Sequence, residues 1–286
     1  SSTDGYWVIM NDIASLCIKD AMPTNTTEYN LHVGTNLISF PAEGSIELSL
    51  GLPDDIEGSI SGIIGEGVAA NYNETLGWVG SLSSFEGGNG YWVLTTEAIS
   101  FSFELSLLDR LKSTEPIGLT FPDGFESYQS TQQAFYFINE IKSESADDLN
   151  DGWIISYNNG RVTGSREWTG ILVDLPVMGN DGNSYSEGYL KTGEIPQFKY
   201  LDNTTGRLTD LYHTDIPSWE NNGIYVLGSV EVKAILPQTI LLNAYPNPFN
   251  PTTTLSFTVQ NEGILKLSIY NISGQLVSEL AHENRT

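Results

Sequence analysis

Side chains able to do chemistry are sparse in this sequence and far apart. It holds three histidines, His32, His213 and His282, and one cysteine, Cys17. None has a second His or Cys at the short spacings that gather metal ligands on one turn or hairpin. No Gly-x-Ser-x-Gly elbow, His-Glu-x-x-His helix or phosphate-cradling Gly-rich loop occurs, so the motifs that announce a nucleophile, a catalytic zinc or a nucleotide are missing. Acids are abundant, but Asp54-Asp55, Asp147-Asp148 and Glu86 sit in Gly- or Ser-rich stretches where a solvated charge is the ordinary state. No pair of them stands out as the two carboxylates of a glycosidase. A non-enzymatic protein is expected.

Hard oxygen ligands cluster twice. Asp147-Asp148-Leu149-Asn150-Asp151-Gly152 places several before a glycine turn, although Leu149 breaks the alternation that an EF-hand loop requires. Asp181, within Asn180-Asp181-Gly182-Asn183, fits a calcium loop or a plain turn equally. No cofactor is expected, with calcium at one of these loops the inorganic candidate. Glycans are the organic candidate. Trp168 and Trp219, flanked by Glu167 and Glu220, are expected to be exposed, with Arg166 nearby, whereas Trp153 behind Gly152 is expected in a core.

The frame that would position these residues is acidic. Lys and Arg total 12 against 36 Asp and Glu in 286 residues, a formal charge of −24. Such a field repels nucleic acid and bare anionic membranes. Hydrophobic residues at 40% and aromatics at 11% are too many for a disordered chain. No stretch approaches the roughly 20 apolar residues of a membrane span, so no membrane insertion is expected. A lone cysteine excludes an intrachain disulfide without excluding export.

Tyr, Phe, Trp, Val, Ile and Thr supply strand formers, and 28 Gly with many Asn supply turns. Gly5-Tyr6-Trp7-Val8-Ile9 recurs as Gly90-Tyr91-Trp92-Val93-Leu94, with a looser copy at Asn222 to Leu227, which marks an internal repeat. The expected fold is all-β: tandem β-sandwich or Ig-like modules with at most one or two short helices. The organisation reads as tail strands or a donor segment at 1–27, a first β-module at 28–106, a second β-sandwich module at 107–235 and a partial Ig-like domain at 236–286. In the first module, Gly34 to Pro41 alternates as a strand with Ile38 and Phe40 on one face. Pro53 to Gly65 carries Ile56, Ile60, Ile63 and Ile64 at helical spacing, and Trp78 and Trp92 are expected to anchor the core. In the second, Gln132 to Ile138 reads as a strand buried on both faces. Asn158-Asn159-Gly160 reads as the turn of a hairpin between Gly152–Tyr157 and Arg161–Ser165.

Three resemblances follow from these residues. The Gly34-Thr35-Asn36-Leu37-Ile38-Ser39-Phe40-Pro41 start with the Gly90-Tyr91-Trp92-Val93 finish resembles a module of large secreted bacterial proteins, not known as catalytic. The Gly152 to Tyr200 region resembles a β-sandwich accessory module of exported bacterial proteins. Tyr245-Pro246-Asn247-Pro248-Phe249-Asn250-Pro251, followed by Leu255 to Val259 and Leu265 to Val277, resembles the Ig-like carboxyl-terminal sorting domain of type IX secretion substrates. It is similar also to the Ig-like part of flagellar hook-capping proteins. That resemblance implies an extracellular or outer-surface protein of a Gram-negative bacterium.

The family's closing strands are expected after Leu280, and the sequence reaches only Thr286. Two explanations stay open: a piece of a longer protein, or strands supplied by a second copy. In the second, Gly5, Tyr6, Trp7, Val8 and Ile9 form a donor strand and head-to-tail addition makes a homopolymer. The expected function is a structural or adhesive subunit of an extracellular fibre or surface assembly. The alternative is a carbohydrate-binding accessory region of a larger secreted enzyme.

Overall fold

The structure, a computed structural model, describes residues 27–108, 119–143, 149–232, 240–245, 248, 250–258 and 263–285. The donor-strand candidates Gly5 to Ile9, Cys17, and the calcium candidates Asp147 and Asp148 lie outside the described residues. The chain divides into two compact units, Ser1–Lys233 and Ala234–Thr286. Both are built from strands.

The first unit opens with β1 (Tyr29–Leu31), β2 (Gly34–Ser39), β3 (Ser45–Glu47), α1 (Leu48–Gly51), α2 (Asp54–Glu57), β4 (Ile60–Ile64), β5 (Ala69–Asn73), β6 (Gly77–Gly80), β7 (Ser84–Glu86), β8 (Gly90–Thr95) and β9 (Ile99–Phe101). A five-stranded antiparallel sheet runs β2-β8-β4-β5-β6, accompanied by the pairs β1-β9 and β3-β7. The repeated Gly-Tyr-Trp-Val segment is therefore β8, hydrogen-bonded on both sides. Its alternation sends Tyr91 and Val93 into the core, where Tyr29, Phe40, Phe85, Phe101 and Phe103 also lie. Phe85 meets Phe103 edge-on with ring centroids 4.9 Å apart, a favoured aromatic geometry.

Two expectations for this module need correction. The one short helix expected within Pro53 to Gly65 is present as α2, but of the four isoleucines it takes only Ile56, and Ile60, Ile63 and Ile64 belong to β4. Glycines at 58 and 62 and β-branched side chains weaken a helix there, and β8 supplies a partner for the backbone. Nor do the tryptophans anchor the core. Trp78 sits half-buried at its edge and donates Nε1 to Glu57 Oε1 at 2.6 Å. Trp92 points to the opposite face of the sheet from Tyr91.

The second module contains β10 (Gln133–Ser143), β11 (Gly152–Asn158), β12 (Arg161–Trp168), β13 (Val173–Met178), a 3-10 turn at Ser184–Ser186, β14 (Gln197–Asp202), β15 (Leu208–Tyr212) and β16 (Ile224–Val232). They form one sheet in the order β12-β11-β14-β15-β16-β10-β13, antiparallel except where β10 runs parallel to β16. Its two edges come together: Arg166 Nε on β12 donates to the Asp174 carbonyl on β13 at 3.0 Å. A Cβ on Gly164 would stand 1.9 Å from the Pro176 carbonyl oxygen. The expected hairpin is β11–β12, with Asn159 at φ 48° and Gly160 at φ 85°, the paired positive angles of a tight turn between twisted strands.

The first half of β10, Gln133 to Ile138, is buried on both faces, and the reason lies outside its own module. Ala134, Tyr136 and Ile138 face the second core, while Phe135 and Phe137 pack with Ile64 and Ala69 of the first module, joined by Trp92, Leu94 and Ile224. Gly62 on β4 leaves the space that the Ile224 side chain fills. The two modules are thus one body with a shared apolar layer.

The second unit holds β17 (Ile240–Tyr245), β18 (Thr254–Thr258), β19 (Gly263–Tyr270) and β20 (Leu276–Arg285), paired as β17-β18 and β19-β20. Tyr245 pairs with Thr254, so the proline-rich box connects two antiparallel strands. Proline cannot continue a ladder, which fits that position. Tyr245, Pro248, Asn250 and Pro251 are exposed; Pro246, Asn247 and Phe249 lie outside the described residues. Ile269, Tyr270, Ile272, Leu276 and Val277 are exposed in this unit.

Candidate functional site

The densest polar arrangement is at the junction of the two modules. The turn between β4 and β5 (residues 65–68) projects its backbone toward the second module. Gln133 Nε2 donates to the Gly65 carbonyl at 2.8 Å, and Gln133 Oε1 accepts from the Gly67 amide at 3.2 Å. Arg166 Nη2 donates to the Gly67 carbonyl at 2.8 Å. Asp174 Oδ2 accepts from the Ala69 amide at 3.0 Å and from Ser81 Oγ at 2.6 Å, and its Oδ1 accepts from the Ser81 amide at 3.1 Å. Arg166 and Asp174 pair at 3.3 Å. The buried backbone groups of Gly65 and Gly67 thus find partners, the Gly65 amide on the Val68 carbonyl within the turn and the others on Gln133 and Arg166.

Burial pushes the Asp174 carboxyl up from its ordinary value, opposed by the Arg166 guanidinium and by the donors of Ser81 and Ala69. An acid inside the apolar run Val173-Asp174-Leu175-Pro176-Val177-Met178 was the one sequence signal for this junction, because a charge on a buried strand needs a partner. That partner, Arg166, comes from the facing edge strand. Closed to solvent, the pair has no access to a substrate, so it serves to lock two modules together.

The expected sugar-stacking residues fall elsewhere than expected. Trp168 is 2% exposed and Trp219 0%, and both belong to the second core. Trp168 Nε1 donates to the Leu149 carbonyl at 2.6 Å and Trp219 Nε1 to the Val177 carbonyl at 2.9 Å. Arg166 is committed to the junction. None of the three offers a free face to a ligand, because burial of their aromatic and aliphatic surface outweighs the influence of the neighbouring glutamates. Trp153, expected in a core, is half-buried beside Ile155, Tyr157 and Leu201.

The oxygen ligands of these loops that lie among the described residues are engaged in hydrogen bonds or packing. Although burial raises it, the Asp181 carboxyl is held well below the ordinary carboxylate range by Ser186 Oγ, Tyr185 Oη and the amides of Asn183 and Thr131. Ser186 Oγ and Tyr185 Oη each lie 2.6 Å from it. Asp151 accepts from Asn203 Nδ2 at 2.6 Å. Asn150 Oδ1 lies against Gly170, where a Cβ would stand 2.6 Å away. Among the described residues no group of three or more His, Cys, Asp and Glu side chains is placed to hold a metal ion. His32 Nδ1 and His213 Nδ1 sit near carbonyls of their own loops, Val33 at 2.8 Å and Asp215 at 2.9 Å, and His282 falls on β20. No helix of the described residues is long and apolar enough to cross a membrane.

One cleft of about 450 Å³ opens on the second module beside the β11–β12 turn, lined by Asn158, Arg161, Glu187, Tyr189, Lys191 and Glu194 among others. Glu194 Oε2 accepts from Asn158 Nδ2 at 3.0 Å and from the Lys191 amide at 2.8 Å. The Arg161 guanidinium lies 5.7 Å from the centre of the Tyr189 ring. These residues are spread over a hairpin, a loop and a turn, and no motif in the sequence links them.

Against known proteins, residues 243–286 match the secretion system C-terminal sorting domain. No curated protein and no solved structure matches the chain. The matched segment starts within β17 and takes in the proline-rich box and β18, β19 and β20. The chain is a secreted, cell-surface or extracellular protein: a type IX secretion substrate bearing a C-terminal sorting domain at residues 243–286.

Proposed function

We propose that this protein is a non-enzymatic structural or adhesive element displayed outside a Gram-negative cell. The observation that carries the reading is the Gln133–Arg166–Asp174 junction. Successive modules of a chain move independently by default when their interface is small and wet. Here a shared apolar layer and a turn bound through Gly65, Gly67 and Ala69 by Gln133, Arg166 and Asp174 hold two modules at a fixed spacing, which suits a part that transmits force or presents a surface. No cofactor is required for that role; calcium binding at Asn150, Asp151 or Asp181 would add local rigidity only.

Self-association extends the reading. The exposed Ile272, Leu276 and Val277 of the second unit suit an added strand, and the Gly5 to Ile9 segment has the composition of a donor. Head-to-tail addition gives a homopolymer. Electron microscopy of the native surface material and of the purified chain tests this, alongside attachment by a deletion strain. Regular fibres or lost attachment support the role; dispersed monomers together with unchanged attachment overturn it. The alternative, a carbohydrate-binding region of a larger secreted enzyme, has to work without Trp168, Trp219 and Arg166.

A further inference from the structure

We infer that the cleft beside Tyr189, together with Tyr128 and Tyr185, which are hydrogen-bonded to residues that line it, is a saccharide-binding site. Three observations converge on it. First, Tyr128 is 62% exposed, and its ring centroid stands 6.3 Å from that of the half-buried Tyr185. A large aromatic ring held in water presents an apolar face, and the C–H faces of a sugar ring are its natural complement.

Second, this platform is tied to the cleft. The Tyr128 amide donates to Tyr189 Oη at 2.8 Å, and Arg161 Nη2 donates to the Tyr185 carbonyl at 3.5 Å. Tyr189 and Arg161 both line the cleft. The tyrosine pair and the cleft therefore share supports, and the Asn158 and Glu194 hydrogen bonds fix part of the lining in advance, which lowers the entropy cost of binding.

Third, the polar groups are of mixed kind. Glu187 and Glu194 line the cleft together with Arg161, Lys191 and the amides of Asn158, Asn159 and Asn180. Among the described residues the Lys191 ammonium makes no hydrogen bond or ion pair, and Arg161 makes one long hydrogen bond, although acids outnumber bases 36 to 12 in the chain. Charge-balanced donors and acceptors in one cleft match hydroxyl groups, each of which donates and accepts, better than they match a polyanion. The volume lies within the roughly 300–1,000 Å³ range of ligand pockets.

This deepens the adhesive reading by naming what is gripped, and it rests on that reading only for where the ligand is met. The test uses the purified full chain against neutral, N-acetylated and uronic-acid oligosaccharides, read by saturation-transfer NMR and titration calorimetry. At least one class is expected to bind. Tyr128→Ala and Lys191→Ala are each expected to weaken binding roughly tenfold with an unchanged melting temperature, since both side chains are exposed. No binding at millimolar sugar, or binding that neither substitution weakens, overturns the site. Because the assay is in solution, it can fail while surface display and fibre formation stand, and the reverse.

Discussion

Asp174 accepts a hydrogen bond from the backbone of Ala69, 3.0 Å away and 105 residues earlier in the chain. That contact ties the edge strand of one module to the second strand of the other module's turn, and Arg166 closes it from the opposite side at 3.3 Å. The desolvation of both charges makes the pair a poor source of net stability and a strong constraint on geometry.

Removing one partner exposes that constraint. Asp174→Ala leaves the buried Arg166 charge without its counter-ion and the Ala69 and Ser81 amides without their acceptor. A loss of about 3–5 kcal/mol is expected from urea unfolding. Lys199→Ala, which breaks the more exposed pair with Asp210 at 2.8 Å, is expected to cost less than about 1 kcal/mol. Equal losses would count against the locking role.

The meeting of β12 and β13 depends on a missing side chain. Gly164→Ala puts a Cβ 1.9 Å from the Pro176 carbonyl oxygen, which is backbone and cannot swing away. Destabilisation of at least about 2 kcal/mol is expected. Gly182→Ala, at φ 89° with open space around it, is expected to suffer backbone strain of about 1 kcal/mol without a clash.

Asp181 gives a pH signature. Its carboxyl is held below its ordinary value of 3.8 by hydrogen bonds to the charged form. The stability it contributes is complete above that ordinary value and is lost as pH falls through the lower folded value. Asp181→Asn is therefore expected to lower stability by about 1 kcal/mol at neutral pH. The gap from the parent protein should close on acidification below the ordinary carboxylate range. A gap that widens in acid, followed by thermal melts, would contradict the assignment.

Deleting residues 243–286 removes the sorting domain. The remaining modules, whose cores and junction lie wholly within Ser1–Lys233, are expected to keep their fold while failing to reach the cell surface or the medium. Cell fractionation with a folded-state probe such as limited proteolysis separates the two effects. Wild-type export of the shortened chain would show that the address lies elsewhere.

The all-β class, the β11–β12 hairpin, the double burial of Gln133 to Ile138 and the sorting tail are legible in the amino-acid sequence. Each is written in local chemistry: the Asn159-Gly160 turn, the period of two in Gly34 to Ser39, the unbroken apolar run from Ala134 to Ile138, the prolines after Tyr245. Isoleucine spacing misled for Ile60 to Ile64, because a short apolar run reads alike as helix or strand until a neighbour such as β8 claims its backbone. It took the folded chain to show that Trp168 and Trp219 are core, that Phe135 and Phe137 face another module, and that Arg161, Tyr189 and Lys191 line one cleft. Burial and proximity are properties of segments far apart in sequence. No window of neighbouring residues contains the 105-residue separation that brings Asp174 to Ala69.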